Sequence, residues 1–258
     1  MIKITVLSFC CLALITQVQG QLSKHFEFYN AELKGQVISN QQSIGNDSTL
    51  EALAVFFKDS ACAQIAAILQ HNPSIQELHV MNPPPHFFGM LSTLAPNLSQ
   101  LFIKEYSNET LVMPSLPKVE ILEIKSSDLT VLDMSKSELP LLEILDVSAE
   151  KLGKWYSVST LPSLGLIELN APLLHVFPID SMPNIVQFSY HCSFIELPAN
   201  LCDYGALMYI SFENYRKIEV SKCLRKKLRD AVYSNISVYD KIDGKLLFEL
   251  HSSDYFKE

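Results

Sequence analysis

From residue 75 onward the apolar positions recur as a triplet, hydrophobic at its first, fourth and sixth places and mostly polar between them. The triplets are Ile75/Leu78/Val80, Leu98/Leu101/Ile103, Val119/Leu122/Ile124, Leu142/Leu145/Val147, Leu164/Ile167/Leu169, Ile185/Phe188/Tyr190 and Leu207/Ile210/Phe212. Their seven starts lie 21 to 23 residues apart. Four belong to a longer phrase, seen as Leu116-Pro-Lys-Val119-Glu-Ile-Leu122-Glu-Ile124 and again from Leu139, Leu161 and Met182. Alternation within each triplet is the period of a strand with one side turned inward. Behind it come further apolar pairs, Leu129 and Leu132, Leu152 and Trp155, Leu174 and Phe177, Ile195 and Leu197, which fit the inward positions of a return arm.

A period in the low twenties carrying this LxxLxL triplet resembles the leucine-rich repeat family, whose coils each supply one short strand and a return arm. The resemblance implies an α/β fold, a leucine-rich repeat solenoid with a curved parallel β-sheet of about seven repeats and a cap at each end. One such coil has too little interior to fold alone, so its apolar residues are covered only by stacking. The family's usual Asn, three residues after the triplet, is replaced by Pro83, Tyr106, Ser127, Glu150, Pro172, Ser193 and Tyr215. Backbone groups in those turns must then find other partners.

Four segments follow. Residues 1–20 hold Lys3, a twelve-residue apolar run and small residues near Gly20, the pattern of a secretory signal peptide. The run is too short for a membrane span, which takes about 18 apolar residues, and no later stretch reaches that length. Residues 21–74 read as an N-terminal cap: a short strand at His25-Phe-Glu-Phe-Tyr, a turn at Lys34-Gly35, then helices over 50–57 and 61–70 capped by Asp47-Ser-Thr and Ser60. Alternatively, Leu50/Leu53/Val55 opens a degenerate first repeat. The repeats occupy 75–219. Residues 220–258 read as a C-terminal cap, an amphipathic helix over 220–232 followed by a hairpin turning at Asp243-Gly244 between 237–242 and 245–250.

Of six cysteines, four follow the signal segment. Cys202 and Cys223 fall at nearly the same place in adjacent coils, and stacked strands lie about 4.7–4.9 Å apart, within reach of a disulfide. That predicts a Cys202–Cys223 bond. Cys62 and Cys192 are about five coils apart and cannot pair within one chain. Cys192, the eighth residue of its coil, reads as reachable and offers a disulfide to a second protein; the alternative is a buried, inert thiol. Sequons at Asn46, Asn97, Asn108 and Asn235 fit a secreted glycoprotein.

Net charge is −8, which argues against nucleic acid or an anionic membrane as partner. No catalytic motif, phosphate loop or metal-ligand spacing occurs, so neither an enzyme nor a cofactor or metal is expected. Function is sought on the strand face opposite the triplets. There Ile121, Ile144 and Leu166 form an apolar stripe beside an acidic one, Glu123, Asp146 and Glu168. An apolar patch rimmed by charge fits a protein-binding site whose partner carries a basic rim. The plainer alternative is a set of ordinary strand residues with no partner.

With its signal peptide, sequons and few cap cysteines, the chain resembles the leucine-rich immune proteins of mosquitoes, specifically those lacking a coiled coil. That implies a secreted protein of extracellular innate immunity that binds other extracellular proteins. A second reading is a structural or adhesive component of matrix or cell surface.

Overall fold

The computed structural model describes residues 51–57, 62–158, 160–193, 199–214, 222–223, 226, 233–239 and 246–251. The expected signal segment, the strand expected at His25, the turns expected at Lys34-Gly35 and Asp243-Gly244, and Ile195 and Leu197 lie outside them. Among the described residues the architecture is α/β with a mostly parallel sheet.

That main sheet has ten strands. In chain-order numbering they run β1 (Ala52–Phe56), β2 (Glu77–Met81), β3 (Gln100–Lys104), β5 (Ile121–Ser126), β7 (Ile144–Ala149), β9 (Leu166–Ala171), β10 (Gln187–Cys192), β11 (Tyr209–Asn214), β12 (Tyr233–Tyr239) and β13 (Leu246–His251). Every neighbouring pair is parallel until β13, which returns antiparallel to β12. A second, three-stranded parallel sheet holds β4 (Thr110–Val112), β6 (Val131–Asp133) and β8 (Lys154–Tyr156).

The triplets explain the register. Leu78, Leu101, Leu122, Leu145, Ile167, Phe188 and Ile210 stand opposite one another across successive strands, and every one is buried. Val80, Ile103, Ile124, Val147, Leu169 and Tyr190 make a second buried column two residues on. Leu111, Leu132 and Trp155 of the small sheet complete the same core with Leu129, Leu152 and Leu174. Each such aliphatic contributes roughly 1.5–3 kcal/mol on burial, and a one-residue slip would turn the whole set to solvent.

With no Asn at that place, the turns after β5, β7 and β9 are satisfied in two ways. After β5 the buried Ser126 Oγ donates to Tyr106 O and accepts from the N–H groups of Asp128 and Leu129. After β7 and β9 the backbone closes by itself, Leu152 N donating to Ala149 O and Leu174 N to Ala171 O.

Three local expectations change. Within the stretch 50–57 expected as a helix, Ala52–Phe56 instead form strand β1, paired with β2 so that Leu53 and Val55 join the columns of Leu78 and Val80. Leu53 and Val55 are buried while Ala54 between them is half-buried, and that period of two overrides the N-cap signal at Asp47. Helix α1 (Cys62–His71) falls where the pattern places one. Helix α2 (Pro85–Leu94) was not foreseen: it opens with Pro at its first turn and buries Phe87, Phe88 and Leu91. Lastly, β12 starts at Tyr233, before the alternation indicates, and its outer partner β13 spans Leu246–His251. Most of 220–232 lies outside the described residues; Lys222, Cys223 and Lys226 are helical.

Candidate functional site

Because side chains alternate along a strand, burying the two triplet columns turns the residues between them to the opposite face of the main sheet. Ile121, Ile144 and Leu166 are paired directly across β5, β7 and β9, as are Glu123, Asp146 and Glu168. The sheet thus brings together all six residues expected to form the binding face. Ile121, Ile144 and Leu166 are half-buried, as are Glu123 and Asp146, while Glu168 is exposed. The aliphatics therefore project less than a bare stripe would.

Counter-charges come from the next row of the same face. Lys125 Nζ lies 3.0 Å from Glu123 and 3.5 Å from Asp146, and Lys104 Nζ lies 3.7 Å from Glu123. On the far side Gln187 Nε2 donates to Glu168 at 3.2 Å. Positive charge is therefore concentrated at the Glu123 end. Burial pushes the Asp146 carboxyl up to about 6; Lys125 pulls it down, and Glu123 and Glu168 on the flanking strands push it up again. Burial alone would lower the Lys125 ammonium, but hydrogen bonding and attraction to Glu123 and Asp146 leave it above its usual value.

Toward β2 the acidic row gives way to rings, His79 and Phe102, stacked with centroids 4.2 Å apart and both buried. Toward β11 it continues as Ser189 and Ser211, while the row beside it, which carries Lys104 and Lys125, reaches a His191–Glu213 pair, 2.8 Å between Nδ1 and Oε2. Lys104 and Lys125 were not among the expected site residues, although each stands two places after Phe102 or Glu123 and so on the same face. That spacing was the signal available for them.

Cys202 and Cys223 form a disulfide with their Cα atoms 5.9 Å apart. The reading of Cys192 as reachable is corrected: it is the last residue of β10, 0 % exposed, with Sγ 3.9 Å from Leu169 O. Each of these strands continues one residue past the face, so its eighth position turns inward. Ser126, Ala149, Ala171 and Cys192 fill it, and all are small and buried. Burial pushes the Cys192 thiol up to about 12, against smaller opposing effects of backbone hydrogen bonds at Ala171 and His191. A disulfide-linked partner through Cys192 is accordingly set aside. The side chain of Cys62 lies outside the described residues.

Of the sequons, Asn97 is exposed, but its Nδ2 donates to Pro73 O at 2.9 Å and its Oδ1 accepts from Lys118 Nζ at 2.7 Å. Asn108 is half-buried in the turn between β3 and β4. Asn46 and the side chain of Asn235 lie outside the described residues. Among those residues no group of three His, Cys, Asp or Glu side chains converges to hold a metal ion, and no helix is long and apolar enough to cross a membrane. In comparisons with known proteins, the chain matched no family model, no curated protein and no solved structure.

Proposed function

We propose that the chain is a secreted leucine-rich repeat protein, a capped solenoid of about seven repeats, that binds another extracellular protein through the β5–β7–β9 face in innate immunity. One observation carries the reading: an apolar row and an acidic row lie side by side, in register, over three consecutive strands. Three half-buried aliphatics supply contact area, and the flanking carboxylates supply discrimination among partners. Support for the repeat family comes from the seven triplets and their parallel register. The Cys202–Cys223 bond supports an oxidising, extracellular setting.

The test is capture from extracellular fluid by residues 21–258, wild type against Ile144→Ala/Leu166→Ala, with circular dichroism showing that both are folded. The partner should be retained by the wild type and lost from the variant. Equal retention would move the contact off this face. A chain recovered with matrix or cells, and not in the fluid, would favour the adhesive reading instead.

A further inference from the structure

Taking the β5–β7–β9 face as a docking surface, we infer that its partner inserts a lysine or arginine beside Asp146 and Glu168, and that this docking is proton-coupled, tight at neutral pH and released in mildly acidic medium. The geometry of the charges points there. Glu123, Asp146 and Glu168 stand opposite one another on adjacent strands, so neighbouring carboxylates are about 5 Å apart at the backbone. The charged groups facing Asp146 are Glu123 and Lys125 from β5 and Glu168 from β9; Lys104 of β3 lies 3.7 Å from Glu123. Three carboxylates thus share two ammonium groups, both near Glu123. Glu168 meets a neutral amide from Gln187. A further cation is accommodated best at the Asp146–Glu168 end.

The apolar row decides what kind of cation. Ile121, Ile144 and Leu166 run beside the acids, so an aliphatic stem can lie along them while its charged head reaches the carboxylates. A lysine or arginine side chain fits both rows at once, whereas a bare ion would use only one. Arginine gains most, since its planar fork can bridge two carboxylates.

Proton coupling follows from the competition for Asp146. In the free face its carboxyl titrates near 6, held up chiefly by burial and by its acidic neighbours. A docked cation favours the ionised form, so binding near that pH expels a proton. By linkage the affinity is full well above pH 6 and falls as pH drops through it. One coupled proton gives on the order of a tenfold loss between pH 7.5 and pH 5.

The experiment is isothermal titration of residues 21–258 with a synthetic peptide alternating leucine and arginine, against the same peptide carrying neutral citrulline. Titrations run at pH 7.5, 6.0 and 5.0, in buffers of different ionisation heat at constant ionic strength. The arginine peptide should bind more tightly at pH 7.5, weaken about tenfold by pH 5 and release roughly half a proton at pH 6. Arginine does not titrate in this range, so the dependence belongs to the face. Asp146→Asn should abolish the proton release, and Glu168→Gln should move it to lower pH by removing a charge that holds Asp146 up. The proposal is overturned if the arginine peptide fails to bind, binds no tighter than the citrulline peptide, or binds without proton release. The docking reading itself stands or falls separately, on capture by Ile144→Ala/Leu166→Ala.

Discussion

Asp146 is a carboxylate that the fold disfavours in its charged form. Its folded value, about 6, lies above the ordinary 3.8, so its contribution to stability is complete below pH 4 and is lost as pH rises through 6. One pKa unit corresponds to about 1.4 kcal/mol. Asp146→Asn should therefore stabilise the protein at pH 7.5 by on the order of 1–3 kcal/mol, with the gain vanishing near pH 4. Urea unfolding of both proteins at the two pH values checks this, and a destabilised variant at pH 7.5 would contradict it. The Cys192 thiol gives a second residue-scale expectation. Fully buried, with its ionisation pushed up to about 12, it should resist iodoacetamide at pH 8 in the native protein and react once urea is added, as peptide mapping would read. The identity of the acidic row was legible in the sequence because strand alternation fixes its face. The state of Asp146 was not, because it depends on burial and on Lys125 in a neighbouring strand. Cys192 was misread for a related reason: a triplet does not say where its strand ends, and one further residue reverses the side to which a chain points.

At the scale of the element, the strands were legible where the triplet repeats and obscure where it fades. Leu50, Leu53 and Val55 fit a degenerate triplet, but the polar run before them resembles a helix cap; pairing with β2 through five residues settles the conflict in favour of a strand. Helix α2 occupies the stretch between two triplets, where Phe87, Phe88 and Leu91 show helical spacing over too few turns to stand out. The turns carry the clearest consequence of the missing Asn. Ser126, 7 % exposed, binds three backbone groups after β5, while the equivalent Ala149 and Ala171 do without a polar side chain. Ser126→Ala should leave those groups short of partners and cost about 1–3 kcal/mol, the penalty of an unsatisfied buried polar group. Ala149→Ser should bring no matching gain, since that turn already closes by a bond from Leu152 N to Ala149 O. Thermal unfolding of the two variants separates the cases, and equal shifts of the same sign would remove the assigned role of Ser126.

For the whole molecule, charge acts before contact. With a formal net charge of −8, the chain attracts cationic surfaces over a distance set by the Debye length, about 8 Å at physiological salt. The acidic row gathers part of that charge beside the Ile121, Ile144 and Leu166 stripe. On the proposed reading the two rows therefore act on different rate constants. Ile144 lies half-buried at the middle of the apolar row, paired on both sides, and its contact forms only after the partner has seated. Ile144→Ala should raise the dissociation rate by roughly 5- to 30-fold, the equivalent of 1–2 kcal/mol for a truncated anchor, with little change in association. The charge of Glu168, exposed and without a cation among the described side chains, is felt earlier, during approach. Glu168→Gln should slow association at 20 mM salt by about 2- to 5-fold and have little effect at 500 mM, where such attraction is screened. Kinetic binding to the captured partner at both salt concentrations reads the two rates. If Glu168→Gln alters only dissociation, or Ile144→Ala only association, the division of labour between the rows is wrong even though the face still binds.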